Sequence, residues 1–337
     1  MARSRAWTWI AILLVGAGAA CSTAVPGRPA GPHVAATPVP RAAAESPAPS
    51  ATPAYPPYYI ESLRATSHPG GKLDVGAVLG RGSGFTKYRI TWPSAGSTMT
   101  GSLSMPDGDG PFPVVVVGHG HITADRYWVG QDSWLFGDPL VPAGFIAVYP
   151  DYPGHAGSGP EPDGFPALVG DAVTVMDLVG SLTTLPKADT SRIAMIGHSN
   201  GGGVGLLMLV SDPRVKAYAL FAPNSSDNRD PARKWWLRNG EGGPLGDPEQ
   251  NPDGYRHISP RWYFEAGQAP VLIVHGTADG SVPGAWSDAT YAALQAAGVK
   301  SRLVWIPGAQ HDFVAGELAQ ANQEAKAWIS SSLGTPG

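Results

Sequence analysis

A single cysteine, Cys21, is all that this chain of 337 residues carries, which excludes an internal disulfide. Charge is also scarce. Asp, Glu, Lys and Arg make up 15% of residues, and 23 basic against 27 acidic side chains leave a net charge of −4. With no basic stripe and no acidic tail, that balance excludes a nucleic-acid footprint and a polyacidic interaction segment. The apolar run near the N-terminus, residues 6–20 (AWTWIAILLVGAGAA), is too short for a comfortable membrane span. Glycine (44) and proline (34) are abundant, and hydrophobic residues reach 43%, enough to bury the core of one large domain or two small ones.

The arginines of MARSR precede the apolar run, and together they read as an export leader. The next stretch, Gly18-Ala19-Ala20-Cys21, resembles a bacterial lipobox, with Gly18 where a larger apolar residue is usual. A lipidated Cys21 would then be the mature N-terminus and anchor the protein to a membrane. Ordinary secretory cleavage near Ala17-Gly18-Ala19 and a retained anchor are the alternatives, and all three place the protein outside the cytoplasm. Residues 22–57 hold ten prolines and ten alanines among 36 positions. Such a segment buries too little to offset its ordering entropy and reads as a disordered tether with a reach of ~100 Å. The expected organisation is a leader over 1–21, a tether over 22–57 and one globular domain over 58–337.

Within that domain, TKYRITW (86–92) and MTGSLSM (99–105) predict two early strands joined by a turn. PVVVVGHG (113–120) is a continuous β-branched run ending in glycine, as a central strand buried on both faces requires. GFIAVYPDYPGHAGSG (144–159) predicts another strand and a glycine-rich loop, residues 167–182 a helix, and 192–210 a strand, turn and helix. Strands over 215–223, 269–276 and 301–308 and helices over 291–298 and 317–333 continue the alternation. The pattern predicts an α/β fold with a doubly wound, mostly parallel sheet. Residues 224–268 break it. This polar stretch carries six large aromatics, among them Trp235 and Trp236, and is expected to lie as a cap-like excursion over the sheet edge where ligands bind.

The chemistry centres on IGHSNGG (196–202). A G-x-S-x-G pentapeptide between a strand and a helix sets its serine on a strained turn, where bulky neighbours would clash. Here it reads Gly197-His198-Ser199-Asn200-Gly201, which makes Ser199 the candidate nucleophile. The acid and base should follow in that order. Asp279, in IVHGTADGSVP, lies just past a predicted strand, and the last histidine, His311, lies in PGAQHDF just past another. Asp279 would hold the His311 imidazole in the tautomer that takes the Ser199 proton. The tetrahedral oxyanion needs two donors. The N–H of Asn200 is one, and the N–H of His121 in GHGHITADRY the other, with Ile122 as second choice. His119 and His121 form a His-x-His pair, but with no third ligand nearby in sequence no metal is expected. Asp151 and His155 read as loop-ordering residues. Of Trp235 and Trp236, one is expected to anchor the excursion and the other to face substrate, because consecutive helical residues diverge by about 100°.

These motifs (VVVVGHG, DYPGHAGSG, IGHSNGGG, NPDGYRHISP before VLIVHGTADGSVP, and GAQHDF) resemble the α/β-hydrolase fold over roughly residues 85–333. More narrowly, they are similar to the catalytic domain of the prolyl oligopeptidase family of serine peptidases and their esterase relatives. The resemblance implies an acyl hydrolase with Ser199, Asp279 and His311 as its triad. Large family members carry a propeller before the hydrolase domain, and dipeptidyl members a paired-glutamate motif for a free amino terminus. Neither is expected here, which favours a carboxylic ester as substrate. A peptidase acting on short peptides shares every catalytic residue, and an inactive binding protein on the same fold is the third reading. No cofactor is implied, since a triad and backbone donors suffice.

Overall fold

The structure, a computed structural model, describes residues 55–335. The leader, Cys21 and the tether up to residue 54 lie outside the described residues. Nine strands form one sheet in the order β1-β2-β3-β5-β4-β6-β7-β8-β9. They are β1 (Asp74–Gly82), β2 (Phe85–Ser94), β3 (Ser97–Pro106), β4 (Phe112–Gly118), β5 (Ile146–Pro150), β6 (Ala188–His198), β7 (Val215–Phe221), β8 (Val271–Gly276) and β9 (Ser301–Ile306). From β5 across to β9 every neighbouring pair is parallel, while β1, β2 and β3 pair antiparallel at one edge.

The central strands show why the sequence folds this way. Val114 and Val116 of β4 enter one core, Val115 and Val117 the core on the opposite face, and all four are fully buried. Each contributes about 1.5–3 kcal/mol by leaving water. One face is covered by α3 (Ala167–Ser181), α4 (Asn200–Ser211) and the helix Gly284–Ala296. The other is covered by α2 (Ser133–Gly137) and the helix Ala315–Leu333. Strand order reverses around β4, which is flanked by β5 on one side and β6 on the other. In open parallel sheets the ligand crevice lies beyond the carboxyl ends of the strands at such a point.

Four elements differ from the sequence expectation. Strand β1 was not expected, and its Val75, Val78 and Leu79 are exposed at the sheet edge, so no buried face marks them as a strand. The short helices α1 (Ile60–Ala65) and α2 were not expected either. The helix expected over 291–298 begins at Gly284 and ends at Ala296. Residues 224–268 run between β7 and β8 as a chain of short helical turns, from Arg229–Pro231 to Pro260–Trp262. Trp236 pins them, being buried and stacked on Tyr255, whose hydroxyl donates to the Gly246 carbonyl at 2.8 Å.

Candidate active site

Ser199 caps β6 and opens α4 with φ +54° and ψ −112°, a conformation that L residues rarely adopt. The neighbourhood enforces it. The Ser199 N–H donates to the Phe221 carbonyl at 2.9 Å, and the Ser199 carbonyl accepts from the N–H groups of Gly202, Gly203 and Asn224. Glycine is required on both sides. A Cβ on Gly197 would lie 2.1 Å from the Gly201 carbonyl oxygen, and one on Gly201 would lie 2.3 Å from that of Gly118. A non-glycine residue held so firmly in a strained turn at a strand end is a candidate functional position.

Asp279 follows β8. Its Oδ1 accepts the N–H groups of Ser281 at 2.8 Å and Val282 at 2.9 Å, and its Oδ2 lies 2.8 Å from His311 Nδ1. His275 braces it from below, with Nε2 3.1 Å from the same Oδ2 and Nδ1 2.7 Å from Ser287 Oγ. Burial by itself raises the Asp279 carboxyl, but the hydrogen bonds from His275 and His311 outweigh it and hold the group well below the carboxylate range. The structure thus joins Asp279 to His311 directly. Ser199 and His311 both line a cavity of about 230 Å³ and, on the other side, one of about 490 Å³. Among the described residues Ser199 Oγ makes no hydrogen bond.

The amides around Ser199 divide into engaged and free. The Gly120 N–H donates to Asp132 Oδ2 at 2.7 Å and the Gly201 N–H to the His119 carbonyl at 2.9 Å. Those of Asn200, His121 and Ile122 have no partner among the described residues. Asn200 is also the first residue of α4, where the helix dipole favours negative charge. His119 is buried against Tyr127 and Tyr152, while His121 is largely exposed, so the two rings do not converge. Among the described residues the group of donors close enough to hold an ion is His198, His311 and Asp312. Both nitrogens of His198 are already engaged, Nδ1 by Asp132 and Nε2 by the His311 carbonyl.

That engagement is the part that sequence reasoning missed. His198 Nδ1 lies 2.9 Å from Asp132 Oδ2, and its Nε2 donates to the His311 carbonyl at 3.0 Å. One buried pair therefore ties the loop after β4, the serine turn and the His311 loop together. Burial disfavours the His198 cation, but the Asp132 charge and hydrogen bond raise its pKa; Asp132, raised by burial, is brought down by His198. His198 sits inside the serine pentapeptide, a usable signal. Asp132, 66 residues away at φ +67°, gives none. Asp132→Asn should cost about 3–5 kcal/mol where the pair is fully charged. The His198 part is complete below its unfolded pKa, about 6.5, and fades as pH rises through the folded value. The Asp132 part is complete above about 3.9 and is lost as pH falls through its folded value. Melts of both proteins should show the widest gap between about pH 4 and 6.5. A gap independent of pH would contradict the charged pair.

Trp235 and Trp236 both line the 230 Å³ cavity together with His121, Asn200 and His311. Trp236 is buried, and half-buried Trp235 packs edge-on against Trp286 at 5.4 Å. Their turn, Ala232–Trp236, is a wider π-helical one, and both rings reach the cavity wall rather than facing apart. On the other side of Ser199 the 490 Å³ cavity has Trp128, Trp134 and Leu135 as its apolar wall, none of them singled out from sequence.

A parallel sheet crowned by a strained serine turn and a hydrogen-bonded His–Asp pair defines a serine hydrolase of the α/β-hydrolase fold. Comparison with known proteins is narrower. The profile of the prolyl oligopeptidase family matches residues 138–335, and the chain belongs to that family. A carboxymethylenebutenolidase-like protein of Escherichia coli O157:H7 is 26% identical over 241 residues, 68% of this chain and 77% of that protein. A non-reducing polyketide synthase of Penicillium brevicompactum is 36% identical over 75 residues, but the match spans 22% of this chain and only 3% of the synthase. Esterase FrsA of Shigella boydii serotype 18 is 28% identical over 131 residues, 38% of this chain and 29% of the esterase. Among solved structures, acetyl xylan esterase 1 from Thermoanaerobacterium sp. JW/SL YS485 superposes with a TM-score of 0.61 at 19% identity, covering 81% of this chain and 90% of that one. At that identity the likeness is one of fold.

Proposed function

We propose that the protein hydrolyses carboxylic esters through a Ser199–His311–Asp279 triad. The observation that carries the reading is the 2.8 Å bond between His311 Nδ1 and Asp279 Oδ2, set beside a serine held in a strained turn. Asp279, kept ionised, holds the proton on Nδ1 and leaves Nε2 free to take the Ser199 proton. Ser199 Oγ then attacks the ester carbonyl, and the Asn200 and His121 N–H groups receive the oxyanion. His311 returns its proton to the leaving alkoxide, and water, activated by the same imidazole, releases the acid from the acyl-enzyme. Trp235 and Trp236 wall the substrate cleft on one side of the serine.

Support for an ester over a short peptide comes from the two cavities beside Ser199. Neither is lined by Lys or Arg, so a free peptide carboxylate would find no lysine or arginine partner there. Relatives named as esterases agree with this. The test is a panel of para-nitrophenyl acyl esters assayed beside aminoacyl and dipeptidyl anilides. Esters should be turned over at least about a hundredfold faster in kcat/KM, a gap of about 2.7 kcal/mol in transition-state stabilisation. Anilides cleaved as well as esters would favour the peptidase reading.

We further propose that the protein is exported and held at a membrane by a lipid on Cys21. Cys21→Ala should move it from the membrane fraction to the soluble one. A wild-type protein that is soluble, processed and free of a lipid mass shift would instead indicate simple secretion.

A further inference from the structure

Ser199 and His311 stand between two unlike cavities. The 230 Å³ cleft is walled by buried Trp236 and half-buried Trp235. The 490 Å³ cavity on the other side is open at its rim, where Trp128 is 52% exposed and Leu135 50%. Apolar side chains exposed singly mean little, but these two share one cavity with the candidate nucleophile and base.

The aromatic corner of that cavity is fixed in place before any ligand arrives. The Trp134 indole N–H donates to Ser102 Oγ at 3.2 Å, and the Lys87 ammonium lies 3.4 Å from the ring centroid. Lys87 is only 7% exposed and is itself anchored on Asp138 Oδ2 at 2.8 Å. Asp138 Oδ1 in turn accepts from Ser104 Oγ at 2.9 Å and from the Tyr149 hydroxyl at 2.5 Å. A Cβ on Gly130 would fall 1.8 Å from the Trp134 indole nitrogen, so the backbone also closes on the ring. Such bracing spares a ligand the cost of ordering the side chain it packs on. Trp128 stands against Trp134 with centroids 5.2 Å apart and planes at 71°. A flat ring laid along one indole of this corner meets the other edge-on, and aromatic pairs favour both arrangements.

The polar lining offers little to a polar ligand. Asp132 is taken by the Gly120 N–H and His198, and Gln131 Oε1 accepts the Trp128 N–H at 3.1 Å. Asp312 is exposed to water and makes no hydrogen bond among the described residues. Its carboxylate tells against an acidic ligand and costs a neutral arene nothing.

The order of the chemistry says which half of an ester belongs here. After acylation the alcohol must leave, and water must take its place beside His311, before the acid is released. A cavity open at its rim permits that exchange, while the cleft walled by Trp235 and Trp236 suits the group that stays. We propose that the 490 Å³ cavity is the subsite for the alcohol half of the ester, and that its Trp128–Trp134 corner selects an alcohol bearing an aromatic ring. The proposal rests on the ester-hydrolase reading and narrows it to a substrate class.

The test holds the acyl group at acetate and varies the alcohol through ethyl, cyclohexylmethyl, benzyl and 2-naphthylmethyl, which leave with nearly equal ease. In the wild type kcat/KM should rise about tenfold or more from ethyl to benzyl. Benzyl should exceed cyclohexylmethyl, its saturated match in size, by about threefold or more, and 2-naphthylmethyl should do at least as well as benzyl. Trp134→Leu should bring the preference for benzyl over cyclohexylmethyl close to one, and Trp134→Phe should restore part of it. Trp128→Leu, at a half-exposed position where folding is not at stake, should lower it too. The ratio of ethyl phenylacetate to ethyl acetate, which varies the acyl half, should not follow these changes. A second arm needs no ester chemistry. 2-Naphthylmethanol should bind Ser199→Ala in calorimetry, and adding Trp134→Leu or Trp128→Leu should weaken the binding several-fold. No benzyl preference in the wild type, a preference that survives both leucine variants, variants that move the acyl ratio instead, or naphthylmethanol binding that ignores both tryptophans overturns the subsite. If naphthylmethanol binds and depends on the tryptophans while no ester is cleaved, the subsite stands and the ester-hydrolase reading is what fails.

Discussion

Ser199→Ala should reduce ester turnover by roughly five or more orders of magnitude, leaving only what the remaining cleft and its backbone donors supply. The melting temperature should barely move, with a stability change within about 1 kcal/mol. Two observations separate these effects. Ser199 Oγ makes no hydrogen bond among the described residues, so its removal leaves no buried group without a partner. The strained backbone is held by main-chain bonds, from the Ser199 N–H to the Phe221 carbonyl and from the N–H groups of Gly202, Gly203 and Asn224 to the Ser199 carbonyl, which alanine keeps. Kinetics with para-nitrophenyl butanoate and thermal melts on one preparation check both halves. Full activity in the variant would remove Ser199 from the chemistry, whereas a large drop in melting temperature would make any loss of activity ambiguous to fold.

Asp279→Asn should lower kcat by about four orders of magnitude with little change in KM. Asparagine can keep its carbonyl oxygen on the Ser281 and Val282 N–H groups, which places its amide where Oδ2 stood, against His311 Nδ1 and His275 Nε2. An N–H donor there makes Nδ1 the acceptor and puts the proton on Nε2, so the imidazole cannot accept the Ser199 proton. Stability should fall as well, with a defined pH dependence. The Asp279 carboxyl is depressed in the folded state, so its contribution is present above the unfolded value of about 3.9 and is lost as pH falls through the folded value. The gap in melting temperature between wild type and Asp279→Asn should therefore be full at neutral pH and close only in strong acid. A nearly silent Asp279→Asn would move the acid elsewhere. Asp227 and Asp230 in the excursion are poor substitutes, since Asp227 pairs with Arg229 at 2.6 Å and Asp230 accepts from Ser225 Oγ at 2.6 Å.

The fold was legible where burial writes a pattern into the chain. The valines of β4, alternating between two cores, could only be a central strand, and the glycines around Ser199 follow from the close approach of Gly118 and Gly201. Strand β1 was not legible because its apolar side chains stay exposed at an edge and its pairing shifts register twice. Ser199, Asp279 and His311 stood out because each follows a strand end, a local feature. The Asp132–His198 pair and the tryptophan-walled cavity did not, because they join residues from separate loops and helices. Asp132 reaches His198 across 66 residues, and Trp128 and Trp134 come beside Ser199 only when the loop after β4 and α2 fold over the strand ends. Short motifs record what a backbone turn demands; they do not record which side chains a fold gathers around a cavity.

The account stands or falls on Ser199 carrying the acyl group. Acid quenching during turnover of a slowly released para-nitrophenyl ester, followed by peptide mass mapping, reads this directly. The acyl mass should appear on the peptide containing Ser199 and build up in step with the burst of nitrophenol, and it should be absent from Ser199→Ala. Turnover with the acyl group on another residue, or a burst with no covalent adduct at all, would contradict it.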